Sequence, residues 1–145
     1  MTQEEKELLL KDLCGRLQYG VKLGTFGMVN DLLGIEFEDI VLFGYDLNNY
    51  EQCVIEDVKP YLRPMSSMTE EEEKELSRKY NWGIRGNQIW IRYHSEGYWD
   101  DETECPTEEY LNLFDWLNAH HFDYRGLIGK GLALEAPEGM YVKEI

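Results

Sequence analysis

The three histidines of this 145-residue chain, His94, His120 and His121, all fall between Arg92 and Arg125, a stretch with no lysine or arginine. Glu96, Asp100, Asp101, Glu102, Glu104, Glu108, Glu109, Asp115 and Asp123 lie in the same stretch. Imidazole and carboxylate together suit zinc, manganese or iron, so one reading is a divalent-metal site built from His94, His120 or His121 with Asp123 and a loop acid. Recognisable metal helices set two ligands on one face, as in His-Glu-x-x-His, whereas adjacent histidines point in different directions. The spacing therefore favours a structural role for His120 and His121. At a helix end a partly positive imidazole suits the dipole and can hydrogen-bond free carbonyls.

Other chemistry finds less support. Cys105 with His120 or His121 is the candidate cysteine and histidine pairing, and its place before Pro106 and a helix start can lower a thiol pKa. No nucleophile signature surrounds it, so it reads as an incidental thiol, and no catalytic residue is identified. Asp100-Asp101-Glu102-Thr103-Glu104 lacks the central glycine and ligand rhythm of a calcium loop. Gly24, Gly27, Gly83 and Gly86 form neither Gly-x-x-x-x-Gly-Lys-Ser/Thr nor Gly-x-Gly-x-x-Gly, so no cofactor is expected. Aromatics crowd the acidic middle of the chain. Rigid amphipathic rings beside charge are common at protein interfaces, which makes Trp82, Trp90, Tyr98, Trp99, Asp100, Asp101, Glu102 and Glu104 the candidate partner-binding residues. Packing beneath a strand around Ile89 is the alternative role for these rings.

Composition bounds the partner. Net charge is −15, from 29 acids against 14 bases, which opposes direct contact with a nucleic-acid backbone or an anionic membrane. Cys14, Cys53 and Cys105 are odd in number and widely spaced, which reads as reduced thiols rather than a disulfide framework or metal knuckle. Glu4, Glu5 and Glu7 stand where a secretory signal would be positive, and no apolar run reaches bilayer length. The expected location is cytoplasmic.

These residues must be positioned by a mixture of helices and short strands. Thr2 with Glu5 spells a capping box ahead of Leu9, Leu10, Leu13, Cys14 and Leu17, predicting a helix over 2–17 that Gly15 or Gly20 ends. Short apolar pieces punctuated by glycine predict strands at Val21–Thr25, Met28–Leu33 and Ile40–Phe43, with a fourth at Gln52–Val58 after an Asp46/Asn48/Asn49 turn. Lys59–Pro64, with two prolines, is expected to lie extended at a sheet edge. Thr69 with Glu72 predicts a surface helix over 69–80 whose Glu70–Glu73 form a solvated first turn. Gln88–Tyr93 alternates as a strand. Thr107 opens a helix over 107–120 expected to face the core with Tyr110, Leu113, Phe114, Leu117 and His121, and Leu132–Ala136 is the last expected strand. The result is a single α+β domain over 1–145, with about three helices and a curved antiparallel sheet or small barrel.

Lys59–Glu72 (KPYLRPMSSMTEEE), Asp115–Asn118 with His120–Ile128 (HHFDYRGLI), and Gly131–Tyr141 (GLALEAPEGMY) resemble a family of uncharacterised small proteins from gut Bacteroidetes prophages and other mobile elements. The resemblance covers about a third of the chain and implies a bacterial or phage cytosol and an accessory role, with no activity attached to any residue. The combined expectation is a non-enzymatic accessory binding protein contacting a protein partner through its acidic, aromatic-containing surface. In one version the carboxylates imitate DNA phosphates and the partner is a basic nucleic-acid-binding protein. The alternative is a metal-assisted hydrolase or small-ligand binder centred on His121 and Asp123.

Overall fold

Thr2 starts the first helix through the reciprocal bonds its spacing predicts. Its hydroxyl accepts the Glu5 N–H at 3.1 Å, and the Glu5 carboxylate accepts the Thr2 N–H at 3.0 Å. The structure is a computed structural model that describes residues 1–37, 39–80, 82–85, 88–91 and 107–141. Helix α1 (Gln3–Arg16) buries Leu9, Asp12, Leu13 and Arg16 on one face. A 3-10 turn, Leu17–Tyr19, leads to Gly20, whose φ of 72° is left-handed and ends the helical run. Gly15 stays inside the helix.

Four antiparallel strands follow: β1 (Lys22–Thr25), β2 (Met28–Glu36), β3 (Ile40–Asp46) and β4 (Asn49–Val54). The Asp46 carboxylate accepts the Asn48 and Asn49 N–H groups at 2.8 and 2.9 Å, the local bonding expected of that turn. The expected strand Gln52–Val58 is split. A 3-10 turn at Ile55–Asp57 buries Ile55, and β5 (Val58–Leu62) begins after it. Next come α2 (Glu70–Tyr80), a hairpin of β6 (Trp82–Arg85) with β7 (Gln88–Ile91), α3 (Thr107–Ala119) and the two-residue β8 (Leu134–Glu135). Leu132 and Ala133, expected in the last strand, pack into the core instead.

The main sheet runs β4-β3-β2-β1-β5-β8, antiparallel except for the β5/β8 pair. It is open rather than closed into a barrel. Lys59–Pro64 is not an edge. β5 lies between β1 and β8, and Pro60 sits opposite Leu23. The Leu62 carbonyl accepts a bond from the β8 side, from Ala136 N–H at 2.8 Å. Pro60, two residues earlier, aims its donor-free nitrogen to that side, where pairing begins only at Tyr61. The missing N–H therefore falls where no ladder bond is required. A Cβ at Gly24 would lie 2.8 Å from Leu134 Cδ1, so the end of that side chain would have to turn aside.

One core layer packs α1 on the sheet through Leu9, Leu13, Val21, Leu23, Val41, Phe43 and Leu62. A second joins Leu76 of α2 to Leu113, Trp116, Leu117 and Phe122 at the end of α3. The inward stripe of α3 differs from the expected one. Trp116 is buried, while Phe114 is 39% exposed and leans on the Tyr124 ring at 5.2 Å. The side chain of Tyr110 lies outside the description. Among the described residues no helix is long and apolar enough to cross a membrane.

This register is measurable. Leu117→Ala should cost about 2–5 kcal/mol in denaturant unfolding, and Phe114→Ala clearly less, because only the first removes fully buried methyl groups. Equal losses would mean that α3 faces the core differently.

Candidate functional site

Helix α3 stops by folding its last carbonyls onto the two residues beyond it. The Phe122 N–H donates to Leu117 O at 3.0 Å and the His121 N–H to Asn118 O at 3.1 Å, with His121 left-handed at φ 63°. This is a Schellman end with histidine where glycine is usual. The conformation is held from both sides. Phe122 is fully buried, and its neighbours bridge to Arg63: Arg63 N–H donates to His121 O at 2.7 Å and Asp123 N–H to Arg63 O at 2.8 Å.

The two imidazoles diverge, as expected. His120 lies flat on Trp116 at 4.0 Å with Nδ1 2.9 Å from the Trp116 carbonyl, a helix-end cap of the kind its position suggests. His121 stacks on Tyr141 at 3.7 Å and 16°. The Tyr141 hydroxyl accepts the Lys22 N–H at 2.9 Å and donates to Tyr61 O at 2.7 Å. In the β1/β5 register Lys22 and Tyr61 come next after Leu23 and Pro60, so a phenol oxygen is spliced into the ladder there.

His121 Nδ1 is buried without a hydrogen-bond partner. Burial, together with Arg16, the neighbouring His120, Arg63 and Lys22, pushes the imidazole down to about 4. Burial raises the Tyr141 phenol to about 12. Asp123 does not join them: its two carboxylate oxygens accept the Leu127 and Ile128 N–H groups at 2.8 and 2.9 Å, closing the turn that contains left-handed Gly126. Among the described residues no three histidine, cysteine, aspartate or glutamate side chains converge as metal ligands.

Glu72 departs from the solvated turn expected of Glu70–Glu73. It is 8% exposed and takes Arg63 in a two-point pair, Nη1 to Oε2 at 2.8 Å and Nη2 to Oε1 at 2.7 Å. Burial works against its charge, yet the Arg63 and Thr69 bonds bring the carboxyl down to about 2. The Arg63 guanidinium also covers the Phe122 ring at 4.2 Å.

These groups surround a groove of about 1210 Å³. Arg63, His120, His121 and Tyr141 line it, and Glu71, Glu75, Glu135 and Glu138 bring carboxylates to it from α2, from β8 and from the chain just after β8. Of the candidate partner-binding residues, Trp82 and Trp90 stand on the β6/β7 hairpin, in register with Ile91 and Gly83. Tyr98, Trp99, Asp100, Asp101, Glu102 and Glu104 lie outside the described residues, as do His94 and Cys105. Arg63, Glu72 and Tyr141 were not legible as site residues. The one available signal was Thr69 with Glu72, which marks a cap but not a cation partner. Comparison with protein families, with curated proteins and with solved structures finds no match to this chain.

The two shifted groups predict two pH windows. Unfolded His121 titrates near 6.5 and folded His121 near 4, so its stability contribution is complete above 6.5 and is lost as pH falls to 4, by at most about 3 kcal/mol. Glu72, at about 2 folded against an ordinary 4.5, contributes fully above 4.5 and loses this as pH falls toward 2. His121→Asn, which tolerates the left-handed backbone, should flatten the upper window in thermal unfolding and leave the lower one. An unchanged upper window would show that His121 is not the group responsible.

Proposed function

We propose that this chain is a non-enzymatic accessory binding protein of a phage or mobile element that holds a basic protein partner against an acidic surface bearing aromatic rings. The observation that carries the reading is the charge balance of the groove. Among the described residues its two cations, Arg63 and Lys22, are paired with Glu72 and Asp31 at 2.7 and 2.9 Å. Glu71, Glu135 and Glu138 are exposed along it, so the field offered to a partner is negative. The Tyr141 ring and the His120 imidazole add flat surfaces on which a guanidinium can stack. Helix α2, which carries Glu71, leads directly into the hairpin with Trp82 and Trp90.

A basic nucleic-acid-binding protein fits this chemistry, with the carboxylates standing in for phosphates. The competing reading, a metal-assisted hydrolase or small-ligand binder at His121 and Asp123, needs both side chains in one site. The Asp123 carboxylate is already engaged by Leu127 and Ile128.

Fluorescence anisotropy with a labelled arginine-rich peptide tests the proposal. Binding should weaken roughly tenfold from low to high ionic strength and disappear in the variant E71K/E135K/E138K. The variant E4K/E7K/E36K, which changes charge equally on exposed residues elsewhere, should retain it. No binding, or equal loss in both variants, would overturn the assignment to the groove.

A further inference from the structure

The two ends of the main sheet are finished differently. At one end β8 pairs through only two residues and is followed by Pro137, so it offers little backbone to another strand. At the other end β4 is six residues long, and among the described residues no strand pairs with its outer side. Long edges in soluble proteins are usually blunted by lysine, proline, inward charge or a bulge away from the partner. β4 reads Asn-Tyr-Glu-Gln-Cys-Val, without proline or lysine and with Glu51 as its single charge.

We propose that a second copy of this chain pairs antiparallel with β4, joining two six-stranded sheets across a two-fold axis. The register follows from the side chains. Cys53 lies opposite buried Val41, which places Glu51 and Cys53 on the core side and Tyr50, Gln52 and Val54 on the other. A two-fold axis perpendicular to the sheet keeps the core sides together, so each residue meets one of like parity in the other copy. Centring on Glu51 would set two carboxylates face to face. Centring on Cys53 would draw in Ile55, which has left the strand for a 3-10 turn. Centring on Gln52 pairs Tyr50 with Val54 twice, an aromatic and a β-branched side chain of the sort that stabilises neighbouring strands. Those two residues are 46% and 41% exposed in the single chain. Glu51 then faces Cys53, and no like charges are opposed. Tyr45 and Leu47, 84% and 66% exposed on the same hairpin, enlarge the apolar ground beside this edge.

Each copy carries −15, so the dimer forms against mutual repulsion and tightens as salt rises. That sign is opposite to the one expected for a basic partner, and the two associations are therefore separable.

Sedimentation equilibrium of the full chain over a concentration series should show monomer and dimer, with more dimer at high salt. Gln52→Lys and Gln52→Glu alter an exposed side chain and each set like charges opposite each other, which should weaken self-association by roughly fivefold or more. An equimolar mixture of the two should recover it as a mixed dimer. A wild type that stays monomeric, a dimer indifferent to both substitutions, or a mixture that fails to associate would each overturn the proposal. Circular dichroism on each variant establishes that the fold is intact.

Discussion

Arg16 is fully buried, and the end of α3 is organised around satisfying its charge. Removing a guanidinium from water costs several kcal/mol unless it is paired and hydrogen-bonded. Asp12, one turn back and equally buried, takes Nε at 2.8 Å and Nη2 at 3.1 Å. Nη2 also donates to the Phe122 carbonyl at 2.6 Å, across 106 residues of sequence. Arg125 Nε stands 3.3 Å from the same Asp12 carboxylate, and the Tyr124 ring faces both guanidinium groups at 5.0 and 5.3 Å. This network fixes where the chain reverses after α3. With the Phe122 carbonyl held against α1, its ring enters the second core layer and His121 must take the left-handed turn. Arg63 is then left in place to bridge the reversal to Glu72.

Much of this fold could be read from local patterns because local physics decides it. The Thr2/Glu5 cap, the Asx turn at Asp46 and the glycine-bounded strands depend on neighbours within a few residues. Position in the sheet does not. Whether Pro60 can lie inside it depends on how far β8 extends, which is set by a strand more than 70 residues away. Phe114 and Trp116 show the same limit on a helix: both fit a broad apolar stripe, and only the placement of Phe122 and Leu76 decides which turns inward.

The site was partly legible for a related reason. Asp12 and Arg16 share a helix face with Leu9 and Leu13, a pattern that in sequence reads as an ordinary surface i,i+4 pair on an amphipathic helix. Its burial depends on a carbonyl from the far end of the chain. In sequence Asp123 is an acid near histidines, yet acids a few residues before a glycine turn commonly serve backbone N–H groups, as it does here. The contact of His120 is local enough to be legible from the helix end, because its partner is the carbonyl one turn earlier.

The groove and the β4 edge lie at opposite ends of one sheet, which determines how they could act together. Three strands separate β4 from β5, so the edge and the groove side stand roughly 19 Å apart at the usual strand spacing. A second copy on β4 would leave the groove open. Across the joined sheets the two β5 strands would be nine spacings apart, roughly 43 Å before twist. A basic segment shorter than about 13 extended residues could not reach both grooves. Self-association would therefore favour partners that repeat their basic segments at long intervals or are themselves oligomeric, and would give an isolated peptide no gain in avidity.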